Sequence, residues 1–246
     1  INNFLLKIKS KEKYKNIKTI CVGNIYLGGT GKTPTSIKLK QILDELKINT
    51  VIGKKFYSSQ LDEKILIEKK SKLISGKNRT DIIKSAVINN YDCLIFDDGL
   101  QDRHINYDLE FVCFDTDKWI GNGNLIPSGP LREKISSLKK YDAVFLKKDG
   151  EQLEEIKDII KKINPNIRIF NSLYKILNTN KFDFSKNYLI VSGIGNPKGF
   201  KKILLNNKFN IVDEIIFPDH YNYKKKDIDY IKQRAKNIKA EIVTTE

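Results

Sequence analysis

The segment Gly23-Asn24-Ile25-Tyr26-Leu27-Gly28-Gly29-Thr30-Gly31-Lys32-Thr33-Pro34 constrains the fold of this chain more tightly than any other. The run Ile17 to Val22 before it reads as a buried strand, and Lys32 to Leu46 after it reads as a helix. A glycine-rich turn between a strand and a helix lets backbone N–H groups point inward around an anion. The helix N-terminus adds partial positive charge. Gly28, Gly29, Thr30 and Gly31 supply that turn. Lys32 then reaches the β- and γ-phosphates of a nucleoside triphosphate such as ATP, and the Thr33 hydroxyl ligates Mg2+. Pro34 is tolerated because a first-turn N–H has no intrahelical partner. Tyr26 stands where the usual motif has a glycine. The alternative is a purely structural turn, and Lys-Thr at a strand–helix junction weighs against it.

Apolar runs of strand length alternate with helical patterns along the rest of the chain. Thr50 to Ile52, Cys93 to Phe96, Leu109 to Phe114 and Ala143 to Leu146 read as strands. Asp62 to Lys69, Arg79 to Ile88 and Glu151 to Ile163 read as helices. Such alternation predicts an α/β fold, a mostly parallel sheet with helices on both faces. Near Asn178 to Lys186 the chain becomes polar and turn-prone. Strands at Tyr188 to Val191, Ile211 to Phe217 and Glu241 to Thr244 then alternate with helices at Pro197 to Leu205 and Lys226 to Ile238. The expected division is a larger domain over residues 1–178 and a smaller α/β domain over 179–246.

No apolar run approaches the roughly 18 residues a spanning helix needs. The N-terminus has no apolar stretch beyond Phe4-Leu5-Leu6, so no signal peptide is read. Cys21, Cys93 and Cys113 show no paired spacing and read as reduced core thiols of a cytosolic protein. The chain begins at Ile1, contains no methionine and stops after an apparent strand, which reads as a piece of a longer protein. Net charge is +15, from 45 basic and 30 acidic residues. That field suits nucleic acid, an acidic lipid surface or a phosphorylated substrate. Heavy use of Lys, Asn and Ile throughout offers a compositional explanation instead, and both stay open.

Other segments carry chemistry-bearing residues. Asp97 and Asp98 follow the apolar run Leu94-Ile95-Phe96, where the metal-holding Asp of a nucleotide-binding sheet belongs. Asp98-Gly99 is also an ordinary turn dipeptide. The segment Gly121 to Glu133 is a glycine- and proline-punctuated loop ending in Arg132-Glu133. Long shaped loops on α/β scaffolds serve binding, and Arg132 has the fork to grip phosphate; a surface ion pair is the alternative. Asn78 reads as an N-cap, and Arg79, taken alone, as a solvated charge. Gly193-Ile194-Gly195-Asn196-Pro197 reads as a tight turn capped by Asn196, with phosphate binding as the alternative. Phe217-Pro218-Asp219-His220 ends a strand, and His104 is the other histidine of the chain.

Taken together, these segments resemble the tetraacyldisaccharide 4'-kinase (lipid A 4'-kinase) family. Val22 to Pro34 matches its V-G-N…G-G-T-G-K-T-P text. Asp97 to Gln101 matches its D-D-G-F-Q-H text, with Leu100 for Phe and Asp102 replacing His. Gly121 to Glu133 matches its G-N-G…L-P-A-G-P-L-R-E loop with Ser128 for Ala, and Gly193 to Pro197 matches its G-I-G-N-P turn. Asp219-His220 and the closing Thr244-Thr245-Glu246 also match, so the likeness runs in family order across nearly the whole chain. The resemblance implies a P-loop kinase domain, a smaller C-terminal domain, and ATP- and Mg2+-dependent phosphorylation of the 4'-hydroxyl of a lipid A disaccharide precursor. It implies a peripheral enzyme at the anionic cytoplasmic face of the bacterial inner membrane, with no specific nucleic acid and no obligate protein partner. It further implies that Arg79, Gln101, Arg132 and Glu133 line the cleft, and that Asp97 or Asp98 supports the metal. Leu61-Asp62-Glu63-Lys64 corresponds to the family's G-D-E-P segment, so Asp62 and His220 are the implied catalytic dyad, alongside Lys32. A carboxylate that holds an imidazole raises its basicity and fixes its tautomer, which prepares a sugar hydroxyl for attack.

Three departures stand out. The family's S-R-G-Y-G-G stretch appears as Gly53-Lys54-Lys55-Phe56-Tyr57-Ser58-Ser59, the insertion before Asp62 is short, and the apolar N-terminal helix is absent beyond Ile1 to Leu6. A partitioning- or targeting-type ATPase is the nearest rival. It requires a lysine just before the Gly-Gly pair, where this chain has Leu27. A nucleic-acid-binding module is a second rival, and no zinc spacing or aromatic RNA-binding signature supports it.

Overall fold

The structure is a computed structural model that describes residues 14, 16–57, 61–102, 104–147, 153–173, 176, 178–219 and 221–245. The chain divides into two compact units, Ile1–Leu173 and Tyr174–Glu246. In the first, strands β1 (Lys18–Gly23), β2 (Thr50–Lys55), β3 (Leu73–Gly76), β4 (Cys93–Asp97), β5 (Leu109–Asp115), β6 (Ala143–Lys147) and β7 (Arg168–Ser172) form one sheet. Their order is β3-β2-β4-β1-β5-β6-β7, and each neighbouring pair is parallel. Helices α1 (Lys32–Glu45), α2 (Leu61–Lys70), α3 (Arg79–Ile88) and α4 (Leu153–Ile163) connect and cover the strands.

Side chains alternate across a strand, so each central strand feeds two cores. Ile20 and Val22 of β1 with Cys93 and Ile95 of β4 meet Leu39 and Leu43 of α1 on one face. Cys21, Leu94 and Phe96 face the other way, onto Ile82, Ile83 and Ala86 of α3, and Leu153, Ile156 and Ile160 of α4 complete that core. Ile37 of α1, Ile52 of β2 and Ile67 of α2 form a third cluster. In this sheet the central strands β1, β4, β5 and β6, predicted from continuous apolar runs, are the ones with residues buried on both faces. Strands β3 and β7 escaped the sequence reading because both are short edge strands, and none of their residues is fully buried.

From β1 the chain passes over β4 to β2 and β3 at one edge, then turns back to β4 and crosses β1 to β5, so the connections leaving β1 and β4 run in opposite directions. In open α/β sheets the crevice at the carboxyl ends of strands beside such a reversal is where ligands bind. The turn after β1 and the acidic pair after β4 both open there.

The second unit is a smaller parallel sheet, order β10-β8-β9, of β8 (Asn187–Ser192), β9 (Asn210–Ile216) and β10 (Ala240–Thr244). Helix α5 (Pro197–Asn206) packs Leu204 against Tyr188 and Ile190, while α6 (Lys225–Asn237) packs Ile231 against Leu189 and Val191. Alternation along β8 thus gives each helix its own face. Asn196 caps α5 by accepting from Gly199 N at 2.9 Å, which supports the tight-turn reading of that segment.

Candidate active site

Gly31 is the N-cap of helix α1, its φ of 87° lies in the left-handed region that favours glycine, and among the described residues no side chain caps the helix. Its first N–H groups are therefore donors without an intrahelical or capping partner, as an anion site requires. Two polar atoms of the same turn, Asn24 Oδ1 and Thr30 Oγ1, are buried and lack a hydrogen-bond partner among the described residues. Asn24 Nδ2 donates to Gly28 O at 3.1 Å, which braces the turn. Buried orphan acceptors of this kind fit a turn shaped around a bound group.

Alternation along β4 sends Asp97 to the α1 face, where it is 1% exposed. Thr33 Oγ1 donates to Asp97 Oδ2 at 2.9 Å, and Ser36 Oγ donates to Oδ1 at 3.1 Å. Lys54 Nζ lies 2.7 Å from the same Oδ2 and also pairs with Glu63 of α2. Burial works against the Lys54 charge, but Asp97 and Glu63 outweigh it and hold the ammonium above its ordinary range.

The backbone enters the left-handed region at Asp98, φ 65°, which Asp tolerates better than most side chains. The Asp98 carboxylate then sits 3.7 Å from Lys32 Nζ and 3.1 Å from Arg132 Nη1. Burial raises its pKa, yet Lys32, Arg132, Lys54 and Arg79 together hold it below the usual carboxylate value. Gly99 follows because a Cβ there would come within 2.7 Å of the Tyr107 hydroxyl and 3.1 Å of Arg79 Nε. The two acids thus differ: Asp97 is bound to the Thr33 and Ser36 hydroxyls and to Lys54, Asp98 to Lys32 and Arg132.

The loop from Gly121 to Glu133 is joined to the phosphate-type turn by its backbone. Leu27 N donates to Pro130 O at 2.8 Å, and Arg132 N donates to Ile25 O at 2.7 Å. Leu131, 1% exposed, anchors it between those bonds. Gln101 Nε2 donates to Asn24 O at 2.9 Å and to Glu133 Oε1 at 3.2 Å, and Arg132 Nη1 reaches Gln101 Oε1 at 3.3 Å. Lys140 and the Tyr141 hydroxyl donate to Glu133 at 2.7 and 2.9 Å.

The structure thus brings Lys32, Thr33, Asp97, Asp98, Gln101, Arg132 and Glu133 into one network. Arg79 is not the solvated charge its local sequence suggested. Its side chain is 10% exposed, and it donates to Asp102 at 3.0 Å and to Asp98 O. Asp62 is exposed on α2. His220 lies outside the described residues. The sequence reading missed Lys54, Ser36 and the bracing role of Asn24. Lys54 gave no local signal, since it stands two residues past Ile52, where the apolar run from Thr50 stops.

A family model for Tetraacyldisaccharide-1-P 4'-kinase matches residues 2–246. The tetraacyldisaccharide 4'-kinase of Pelagibacter ubique is 52% identical over 248 residues, covering 100% of this chain and 79% of that relative. That of Rickettsia conorii is 35% identical, over 93% of this chain and 74% of that protein. Among solved structures, LpxK from Aquifex aeolicus in complex with ATP superposes with a TM-score of 0.66. It is 20% identical, over 99% of this chain and 82% of that one, a likeness of fold. Sequence likeness of this extent and depth shows that the chain belongs to the tetraacyldisaccharide 4'-kinase family.

Proposed function

We propose that this chain transfers the γ-phosphoryl group of ATP to the 4'-hydroxyl of a tetraacyldisaccharide precursor of lipid A. The observation that carries the reading is the convergence of Lys32, Thr33, Asp97, Asp98 and Arg132 beside an uncapped helix start. Phosphoryl transfer needs mainly positioning and charge stabilisation, and this constellation supplies both. Lys32 and the N–H groups of the turn would grip phosphate oxygens, with the Asp98 carboxylate keeping Lys32 oriented until nucleotide arrives. Arg132 presents a cation toward the same place and is itself held by Asp98 and Gln101.

Thr33 Oγ1 and Asp97 Oδ2, buried hard oxygens 2.9 Å apart, fit Mg2+, which takes few protein ligands and completes its shell with phosphate and water. Held there, the metal would neutralise charge that develops on the phosphate oxygens. The acceptor hydroxyl oxygen forms the new bond to phosphorus as the bond to the ADP oxygen breaks, and its proton passes to an imidazole. His220, oriented by Asp62, is the residue we assign to that role, on the family likeness of both segments. The excess of basic residues, +15 overall, suits a peripheral position at an anionic inner-membrane surface on the cytoplasmic side. No helix among the described residues is long and apolar enough to cross a membrane.

The test is transfer of labelled phosphate from ATP to the disaccharide lipid, run with Asp62→Ala, His220→Ala and the double variant. Acceptor-dependent product is expected. Either single loss should cost about as much as both, because a dyad acts as a unit. ATP hydrolysis indifferent to the acceptor would point instead to a nucleotide switch, and additive losses would dissolve the dyad.

A further inference from the structure

Lys54 occupies a position that electrostatics would ordinarily forbid. It is 5% exposed, near the end of β2, on the face where Ile52 packs between α1 and α2. An ammonium there survives only if it is paired, since taking one charge out of water without its counter-ion is costly. Lys54 has two counter-ions on two elements, Asp97 of β4 and Glu63 of α2. One of them is shared. The Asp97 oxygen that Lys54 touches is the oxygen that receives the Thr33 hydroxyl, Oδ2.

A divalent cation approaching Thr33 and Asp97 therefore meets a resident positive charge on its carboxylate ligand. Metal and Lys54 cannot both hold that oxygen at contact without strong like-charge repulsion. Glu63 resolves the conflict. If Lys54 leaves Asp97 it still keeps one carboxylate, so it need never be buried unpaired. We propose that Lys54 is a tethered cation that holds Asp97 while the site lacks metal, and retreats onto Glu63 when a divalent cation arrives with nucleotide. Lys54 is thus a positioning residue that sets how strongly nucleotide binding depends on metal. This rests on the reading of Thr33 and Asp97 as the metal-holding pair.

The two neighbours of Asp97 act in opposite senses, which makes the idea testable by binding alone. Without Lys54, Asp97 is an uncompensated anion: it repels free nucleotide and attracts metal. Without the Glu63 charge, Lys54 has only Asp97 and resists the metal. The measurement is the Kd of ADP by calorimetry, with excess Mg2+ and with chelator, and the ratio of chelator to Mg2+ values. Lys54→Met should raise that ratio by about tenfold, the size of an ordinary coupling between sites, and lower the Mg2+ concentration at half-saturation. Glu63→Gln should move both the other way. A merely structural ion pair would predict no change of ratio in either variant, or shifts of the same sign, and that result overturns the proposal. Should Lys54→Met fail to fold, as judged by circular dichroism, Glu63→Gln alone decides by its sign. Asp97→Asn distinguishes the metal pair from the tethered cation. If it leaves the ratio at the parent value, the metal-pair reading fails. If it collapses the ratio while the Lys54 and Glu63 variants do nothing, only the tethered-cation proposal fails.

Discussion

Asp97 and Asp98 are consecutive carboxylates with different partners. Asp97 is fixed through Thr33, Ser36 and Lys54, whereas Asp98 is surrounded by Lys32, Arg132 and Arg79. Further along the network, burial raises the pKa of Glu133, but Lys140, Tyr141 and Gln101 override it and hold the group below its ordinary value. A carboxylate whose folded pKa is depressed stabilises the fold above the ordinary range, about 4.3, and loses that contribution as pH falls through the folded value. Lys140→Ala should therefore narrow the gap between urea midpoints measured at neutral pH and near pH 3. An unchanged gap would show that Lys140 does not hold Glu133. At this scale the phosphate-type turn was legible because its chemistry follows from residue type and order. Lys54 was not, because a lysine is read as solvated unless the partners that bury it are known. Arg79 was misjudged from local sequence for the same reason.

Elements were legible where local signals coincide with burial. Asn78 was read as a cap, and its side chain accepts from Asp81 N at 2.8 Å to open α3, which carries Arg79 at its first residue. Asn78→Ala should cost about 1 kcal/mol of stability, and Asn78→Asp much less, by urea denaturation. Equal loss in the two variants would assign the effect to something other than capping. Strands β1, β4, β5 and β6 announced themselves by runs of apolar residues that the sheet buries on both faces. The edge strands β3 and β7 gave no such run, because an edge half-exposed to solvent selects no continuous apolar text. Strand β2 extends to Lys55, past the Ile52 at which its apolar run stops, and it is this hidden extension that delivers Lys54.

At the scale of the molecule, two α/β units follow one another along the chain, and the candidate site is built by the first. Its parts come from segments up to about a hundred residues apart in sequence, Asn24 to Glu133, brought together because β1 and β4 are parallel neighbours and the loop before Glu133 zips onto the turn after β1. No local reading supplies that juxtaposition; family order supplied it, and the sheet order explains it. Of the two residues proposed as a dyad, Asp62 belongs to the first unit and His220 lies outside the described residues. If the turn ending in Lys32 and Thr33 drives phosphoryl transfer, Lys32 carries most of the effect. The direct measurement is kcat for labelled phosphate transfer from ATP to the disaccharide lipid by the parent and by Lys32→Ala, with thermal unfolding of both followed in parallel. The expected result is a loss of about a hundredfold or more in kcat with the unfolding transition retained. Transfer by a folded Lys32→Ala protein at the parent rate would contradict it.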